Sequence, residues 1–165
     1  MEEEKILSDL AEIKDILKPI VISTGTKVIV PRKINDRFTD NGDGTISDNL
    51  HKIEWVKDPT QLGEVFCKKM TFEEAEKACK ELSFINKTGW RMPTLQEEFS
   101  IRDYKRSNPA WDIDIFGGNF DDWYWTSETC AWNSGAAWCV SSLSGYVFNY
   151  GKVELYYVRP VRSSQ

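Results

Sequence analysis

The stretch that decides the fold runs from Trp123 to Arg162 and reads WYWTSETCAWNSGAAWCVSSLSGYVFNYGKVELYYVRPVR. It combines a frame of aromatic, Val and Arg residues, in the fragments WYWTS, AWxV, GxV and YVRPVR, with intervening residues that share no polarity, size or period. Positions without a packing period are typical of surface segments, so we predict that they form a ligand-binding surface. The predicted ligand-binding residues are Cys130, Trp132, Asn133, Ser134, Cys139, Ser141, Ser144, Tyr146, Phe148, Asn149, Tyr150, Gly151, Val153, Glu154, Leu155 and Tyr156.

The composition of this stretch is that of a recognition surface laid over an aromatic core. No Lys or Arg occurs between Ser107 and Gly151, whereas Trp, Tyr and Phe are concentrated there. Tyr and Trp provide large contact areas at low entropic cost, and Ser, Gly and Asn provide adaptable hydrogen bonds. A tryptophan-rich β core explains the same composition, and we expect both interpretations to hold at different positions.

The size and charge of the chain limit its function. A chain of 165 residues can form one domain with a real core and a small appendage. The net charge of −5 and the pI of about 5.0 disfavour nucleic acids and anionic membranes as partners. No stretch is apolar enough to span a membrane, and the acidic start MEEEK lacks the apolar region of a signal peptide. We expect no nucleic-acid partner and no membrane insertion, and the localisation stays open, with a virion or cell surface among the options.

Residues 3–18 have the pattern of an amphipathic helix. Ile6, Leu10, Ile13 and Leu17 form an apolar seam, and Pro19 ends the pattern. Two heptads are marginal alone, so the seam either docks on its own chain or pairs with a second chain. We expect a monomer or a weak homo-oligomer, with an N-terminal helix at 1–19 and a ligand-binding domain at 20–165.

The segment after this helix predicts strands. The turn sequence NGDG at 41–44, flanked by Phe38 and Ile46, predicts a β-hairpin. The segment HKIEWVKDP predicts a further strand, with Trp55 turned inward and Pro59 at its end.

The same turn matches a calcium-binding loop only in part. Asn41, Asp43 and Gly44 fall at the third, fifth and sixth positions of such a loop. Thr39 and Leu50 then fall at the first and last positions, where carboxylates are needed. We expect no bound metal and no cofactor, and we keep a calcium-dependent sugar-binding lectin domain as an alternative.

Two capping boxes predict two helices in the middle of the chain. The first opens at Thr71–Glu74, and the second opens at Thr94–Glu97 with Leu95 and Phe99 on one face. The residues expected on the buried face of the first helix are Phe72, Ala75, Cys79 and Leu82. Strands, two helices and a β-rich C-terminal half together predict the α+β class.

The residues needed for catalysis are scarce. His51 is the only histidine, which disfavours a zinc site and leaves Ser-His-Asp or Cys-His chemistry without a signalled partner. The acidic residues Asp112, Asp114, Asp121 and Asp122 are expected to cap turns in a solvated loop. We therefore predict that the chain is not an enzyme.

The four cysteines are expected to remain thiols. Cys67, Cys79, Cys130 and Cys139 allow three pairings, but no sign of an oxidising compartment accompanies them. Cys67 and Cys79 lie on or beside the first predicted helix and are expected to be buried. Cys130 and Cys139 belong to the predicted surface.

Four ordered motifs resemble those of one protein family. The motifs RFTDNGDGTISDN, MTFEEAEKAC, GWRMPTLQEE and the frame that ends in YVRPVR are together similar to the Lcl C-terminal-domain family, over about residues 36–162. The resemblance implies a C-type-lectin fold, with two helices packed on short, mostly antiparallel sheets and a ligand-binding face on the C-terminal strands. Some such modules are variable proteins of diversity-generating retroelements, in which adenine-directed errors rewrite chosen codons, and the mixture of residues between the frame positions fits that subset.

The resemblance also implies which residues are structural. Arg91, Arg159 and Arg162 are expected to pair with buried acids. The implied framework residues are Trp90, Pro93, Trp125, Trp138, Val140, Gly145, Val147, Tyr157, Val158, Pro160 and Val161. The implied partner is a protein or glycan ligand on a cell or particle surface.

Two alternatives share the implied fold. One is a structural subunit of a virus particle or cell surface. The other is a formylglycine-generating oxidase, which uses a cysteine pair, for which Cys130 and Cys139 are the candidates.

Overall fold

The computed structural model describes residues 29–164, so the predicted helix at 3–18 lies outside the described residues. The chain divides into two units, Met1–Pro31 and Arg32–Gln165, and the description below concerns the second. Its elements in chain order are β1 (Arg32–Lys33), β2 (Phe38–Asp40), β3 (Thr45–Asp48), β4 (Ile53–Val56), α1 (Phe72–Glu81), α2 (Leu95–Ser100), β5 (Trp123–Cys130), β6 (Asn133–Ser141), β7 (Val147–Gly151) and β8 (Val161–Ser163). The predicted α+β class is confirmed.

The first sheet has the strand order β1-β2-β3-β4-β8 and is antiparallel throughout. The predicted hairpin is its centre, because Thr39 pairs with Ser47 across the turn at 41–44. Gly44 has a φ of 94° in this turn, and a Cβ there would lie 2.9 Å from the ring of Phe84. Only glycine meets both conditions without strain.

The second sheet has the strand order β5-β6-β7 and is also antiparallel. β6 lies in the middle, while β7 pairs with β6 along one side. The pairing of β5 with β6 shifts register between Trp125 and Thr129 and again between Thr129 and Cys130. These irregularities change which face the side chains take beyond Trp125.

Both predicted helices form, each with its capping box. The Thr71 side chain accepts a hydrogen bond from Glu74 N, and the Thr94 side chain accepts one from Glu97 N. The first helix buries Phe72, Ala75 and Cys79 as predicted, with Leu82 partly buried at its end. The second helix buries Glu98 instead of Phe99, which is 37% exposed.

Two apolar clusters form the core. One joins the first sheet to the loop before β5, around Trp55, Trp111 and Phe116. The other joins α1 to the second sheet, around Phe72 and Trp125. Trp55 is fully buried, as predicted.

The arginines of the C-terminal frame are held in different ways. Arg91 binds Glu97 at 2.7 Å, and Arg162 lies 3.6 Å from Glu54, so both pair with acids as expected. Arg159 is fully buried, and the expectation that it pairs with an acid is wrong. Its hydrogen bonds go to backbone carbonyl oxygens instead. A guanidinium has five N–H donors, so a buried arginine can donate hydrogen bonds to several loop carbonyls at once.

Glu98 is the acid that shares this buried region. It is fully buried, and neither carboxylate oxygen accepts a hydrogen bond from the described residues. Burial raises its pKa to about 7, although the charges of Arg159 and Arg102 act in the opposite direction. Arg102 donates a hydrogen bond to Ser141 O, and burial lowers its pKa to about 10.

No helix among residues 29–164 is both long enough and apolar enough to cross a membrane.

The buried Glu98 predicts a pH dependence of stability. Its pKa is about 7 in the folded chain, so its stabilising contribution is complete below the ordinary pKa of Glu and is lost as pH rises towards 7. Relative to Glu98→Gln, the wild type should lose on the order of 3 kcal/mol of unfolding free energy across this range. Urea unfolding at several pH values measures the difference. Glu64→Gln, at an exposed position, is the control, and parallel profiles for wild type and Glu98→Gln would contradict the assignment.

Candidate ligand-binding surfaces

The predicted ligand-binding residues of β6 and β7 divide between the two faces of the second sheet. Cys139 lies opposite Trp125 on one neighbour and opposite Phe148 on the other, so these three side chains share one face. Trp138 lies opposite Asn149, and this pair takes the other face. The sequence prediction of one continuous surface is therefore replaced by two surfaces on opposite sides.

The first surface, here called the aromatic face, consists of Trp123, Phe148, Tyr150 and Tyr156. Tyr150 is its centre, with ring centroids 5.1 Å from Trp123, 5.3 Å from Phe148 and 4.9 Å from Tyr156. Phe148 is 55% exposed, whereas the other three rings are half-buried. Tyr156 in turn packs on the buried Trp125 at 5.2 Å. The half-buried rings thus rest on the core, and the exposed Phe148 packs on them through Tyr150.

The segment that follows β7 extends this surface. Val153 is 81% exposed and Leu155 is 52% exposed, and Glu154 is exposed between them. The backbone at both ends is fixed, because Lys152 N donates to Gly135 O at 2.8 Å and Tyr156 N donates to Met70 O at 3.0 Å. The side chains of Val153, Glu154 and Leu155 are therefore exposed, while backbone hydrogen bonds fix the segment at both ends.

The remaining exposed predicted residues lie at the turns. Tyr146 is 73% exposed at the turn before β7, next to the exposed Ser144. Asn133 and Ser134 are exposed at the start of β6, where Asn133 Oδ1 accepts a hydrogen bond from Gly135 N at 3.0 Å. Gly151 is half-buried at the end of β7.

The expectation of solvent exposure is wrong for Cys130, Cys139 and Ser141, which are all buried. Cys139 lies on the central strand within the apolar cluster around Trp125, where neighbours cover it on both sides. The Ser141 hydroxyl lies 3.1 Å from that of Ser144 and serves the turn before β7. These three residues can support the surface but offer it no contact area.

The cysteines do not form a reactive pair. All four, which lie in the described part of the chain, are free thiols. Cys130 is opposite Asn133, six positions before Cys139 on β6, so the two thiols are roughly 20 Å apart along the strand. Burial raises the pKa of Cys139 far above its usual range. This separation leaves the oxidase alternative without its cysteine pair.

The other two cysteines differ from each other. Cys79 is buried as expected, and burial raises its pKa to about 12. Cys67 is exposed, and the expectation of burial is wrong there, because it follows the one-turn helix Pro59–Leu62 in a surface loop.

The second surface, here called the tryptophan groove, lies between α2 and the opposite face of the second sheet. It is an open groove with a volume of about 570 Å³. Its main lining residues are Leu95, Phe99, Glu128, Trp132, Trp138 and Val147. Trp138 and Val147 were expected to be structural, but both are only half-buried. The sequence signal for this groove was the pair Leu95 and Phe99, four residues apart on a helix face that turned out not to be core.

The carboxylates of the first hairpin are engaged by protein groups. Asp43 accepts hydrogen bonds from Thr45 N at 3.0 Å and Thr45 Oγ1 at 2.6 Å. Lys87 Nζ lies 3.4 Å from Asp43 and 2.6 Å from Glu54, and so places an ammonium between the two acids. Within residues 29–164 no three His, Cys, Asp or Glu side chains are grouped to hold a metal.

His51 has a structural environment. Its Nδ1 lies 2.9 Å from Asp48, and Arg37 binds the same carboxylate at 2.6 Å. Although burial alone would raise the pKa of Asp48, hydrogen bonds from Arg37 and His51 lower it. The three side chains together fasten the end of the first hairpin.

One family model matches most of the chain. It is described as the Lcl C-terminal domain, and it matches residues 44–162. The match includes both helices, the whole second sheet and every predicted ligand-binding residue. Among curated proteins, none matches this chain.

The division between core and surface predicts two kinds of response to substitution. Tyr146→Ser and Val153→Ser should each change the unfolding free energy by no more than about 0.5 kcal/mol, as at ordinary surface sites. Trp125→Ala should cost roughly 3–5 kcal/mol, because Trp125 is fully buried and donates from Nε1 to Met70 O at 2.8 Å. Urea unfolding of the three variants measures both, and equal losses at the two kinds of position would reject the division.

Proposed function

Because this chain belongs to the Lcl C-terminal domain family, we propose that it is a non-enzymatic binding module for a protein or glycan ligand on a cell or particle surface. The observation that carries the proposal is the aromatic face, with Phe148 exposed beside Tyr150 and Tyr156. A large exposed ring beside further partly exposed rings forms an apolar patch, and such patches mark interaction sites.

The build of the surface supports a recognition role. Rings that pack on one another and on Trp125 are already ordered before a ligand arrives. Binding then costs little side-chain entropy, which is the usual advantage of Tyr and Trp in binding loops. The surrounding exposed residues Ser144, Asn133 and Ser134 add adaptable hydrogen-bonding groups.

The finer form of the proposal is a C-type-lectin fold whose surface residues are diversified by a retroelement. It is supported by side chains such as Val153, Glu154 and Leu155, which project from a backbone fixed at both ends. A residue in that position can change without disturbing its neighbours. The proposal requires that the fold tolerate substitution there, which the unfolding measurements on Tyr146 and Val153 test.

The binding function is tested by removing the exposed apolar groups together. The variant with Tyr146→Ser, Phe148→Ser and Leu155→Ser should no longer capture proteins or glycans from cell-surface extracts that the wild type captures. Leu50→Ser with Val65→Ser is the matched control, because these residues are exposed and apolar but lie elsewhere. Thermal melts check that both variants stay folded. Capture that is equal for wild type and the triple variant would refute the aromatic face as the binding site.

Calcium is expected to have no effect on this protein. The Lys87 ammonium lies between Asp43 and Glu54, so a calcium ion would have to displace it to reach these carboxylates. The melting temperature should therefore be the same with added calcium and with a chelator. A clear rise with calcium would instead favour the sugar-binding lectin alternative, which needs carboxylates free to ligate the ion.

A further inference from the structure

We propose that the tryptophan groove binds an alkylammonium group, such as the quaternary ammonium of choline or of trimethylated lysine. The groove lies on the face of the second sheet opposite to the aromatic face, so this site is additional to the one proposed above. The inference rests on its two indole rings, on one carboxylate and on the absence of cationic lining residues.

The two indole rings form adjoining walls of the groove. The ring centroids of Trp132 and Trp138 are 5.5 Å apart, and the ring planes meet at 85°. Trp132 is 73% exposed, so a face of its ring is open to a ligand. Cations are attracted to the faces of aromatic rings, and Trp is the strongest of the aromatic side chains in this respect. Phe99, which is 37% exposed, adds a third ring to the lining.

Glu128 supplies a negative charge in the same groove. Its Oε2 accepts hydrogen bonds from Leu95 N at 2.5 Å and from Ser127 Oγ at 3.4 Å. Its Oε1 receives no hydrogen bond from the residues that the structure describes. The bond to Leu95 fixes the carboxylate against the start of α2, so its position does not depend on the ligand.

The charge balance of the groove favours a cation. None of its lining residues is Lys or Arg. Two cations lie nearby. Arg91 is paired with Glu97 at 2.7 Å, and its pKa is raised first by the hydrogen bond to Glu97 and to a smaller extent by the charge of Glu128. Lys152 Nζ binds Thr129 Oγ1 at 2.9 Å at the rim. The same ammonium lies 4.6 Å from the ring of Phe72, in the apolar cluster on the other side of the sheet. Lys152 therefore bridges the edge of the sheet and leaves the two indole rings unoccupied.

An alkylated ammonium suits this site better than a bare cation or a neutral apolar group. The lining is mostly apolar, so a strongly hydrated ion would lose its water without replacement. Methyl groups on the nitrogen remove the need for hydrogen bonds and fit against the rings. A neutral group of the same shape would make the apolar contact with the rings but would gain no electrostatic attraction to the ring faces or to Glu128.

The test compares choline with the neutral alcohol in which carbon replaces the quaternary nitrogen. Both are titrated into the full chain, with binding followed by tryptophan fluorescence and by NMR. Choline should bind about tenfold more tightly than the neutral analogue, because only choline gains the electrostatic attraction. Trp132→Ala and Glu128→Gln should each weaken choline binding by a similar factor. Phe148→Ser, on the opposite face, is the control and should leave choline binding unchanged.

Several outcomes would overturn the proposal. Equal affinity for choline and its neutral analogue would show only an apolar groove. Absence of choline binding would show that the groove holds no ammonium site. A loss of choline binding in Phe148→Ser equal to that in Trp132→Ala would show the same. Loss of the aromatic-face function in the triple variant described above leaves this test unaffected, because choline binding is measured separately. If choline binds as expected, titration of glycerophosphocholine and of a peptide with trimethyllysine identifies the source, which is the one bound more tightly.

Discussion

The buried guanidinium of Arg159 is the interaction that joins the first sheet to the loop leading into the second. It donates hydrogen bonds to the carbonyl oxygens of Val56, Lys57 and Gly117, at 3.2, 2.8 and 2.6 Å. These carbonyls belong to the end of β4 and to the loop before β5. The guanidinium also lies 4.7 Å from the ring of Trp111. One side chain thus binds three backbone carbonyls and packs on the aromatic core. Lys57 O also accepts a hydrogen bond from Gly117 N at 2.9 Å, so the guanidinium reinforces a contact that the backbone makes as well. Removing a donor from buried carbonyls costs free energy.

The interior and the exposed surface differ in how strongly their side chains depend on one another. Inside, Arg102 lies 5.9 Å from the ring of Trp111, and its charge acts on the buried Glu98, so a change in one of these side chains affects the others. On the aromatic face and in the segment after β7, Phe148, Val153 and Leu155 are each more than half exposed. A surface of this kind can change its chemistry while the interior stays the same, which is the property that a diversified binder needs.

Local signals in the sequence predicted much of the fold. The NGDG turn predicted the hairpin, and the boxes at Thr71 and Thr94 predicted both helix starts, because each signal acts within a few residues. Which side chains face the core on these strands could not be predicted. The irregular pairing after Trp125 breaks the simple alternation between frame residues and the residues between them. Trp138 was expected in the core and instead lines a groove, while Cys139 was expected outside and is buried. The burial of Glu98 was equally hidden, because Arg159, whose charge acts on it together with that of Arg102, comes from a distant part of the chain.

The scarcity of charge on the aromatic face has a consequence for the surroundings in which the protein can act. Attraction between charges at a surface weakens as dissolved salt screens them, whereas contact between apolar rings does not. A ligand held by Phe148, Tyr150 and Tyr156 would be held about as well in brine as in fresh water. The two sides of a single sheet would then respond differently to salinity, because the groove behind it relies on Glu128.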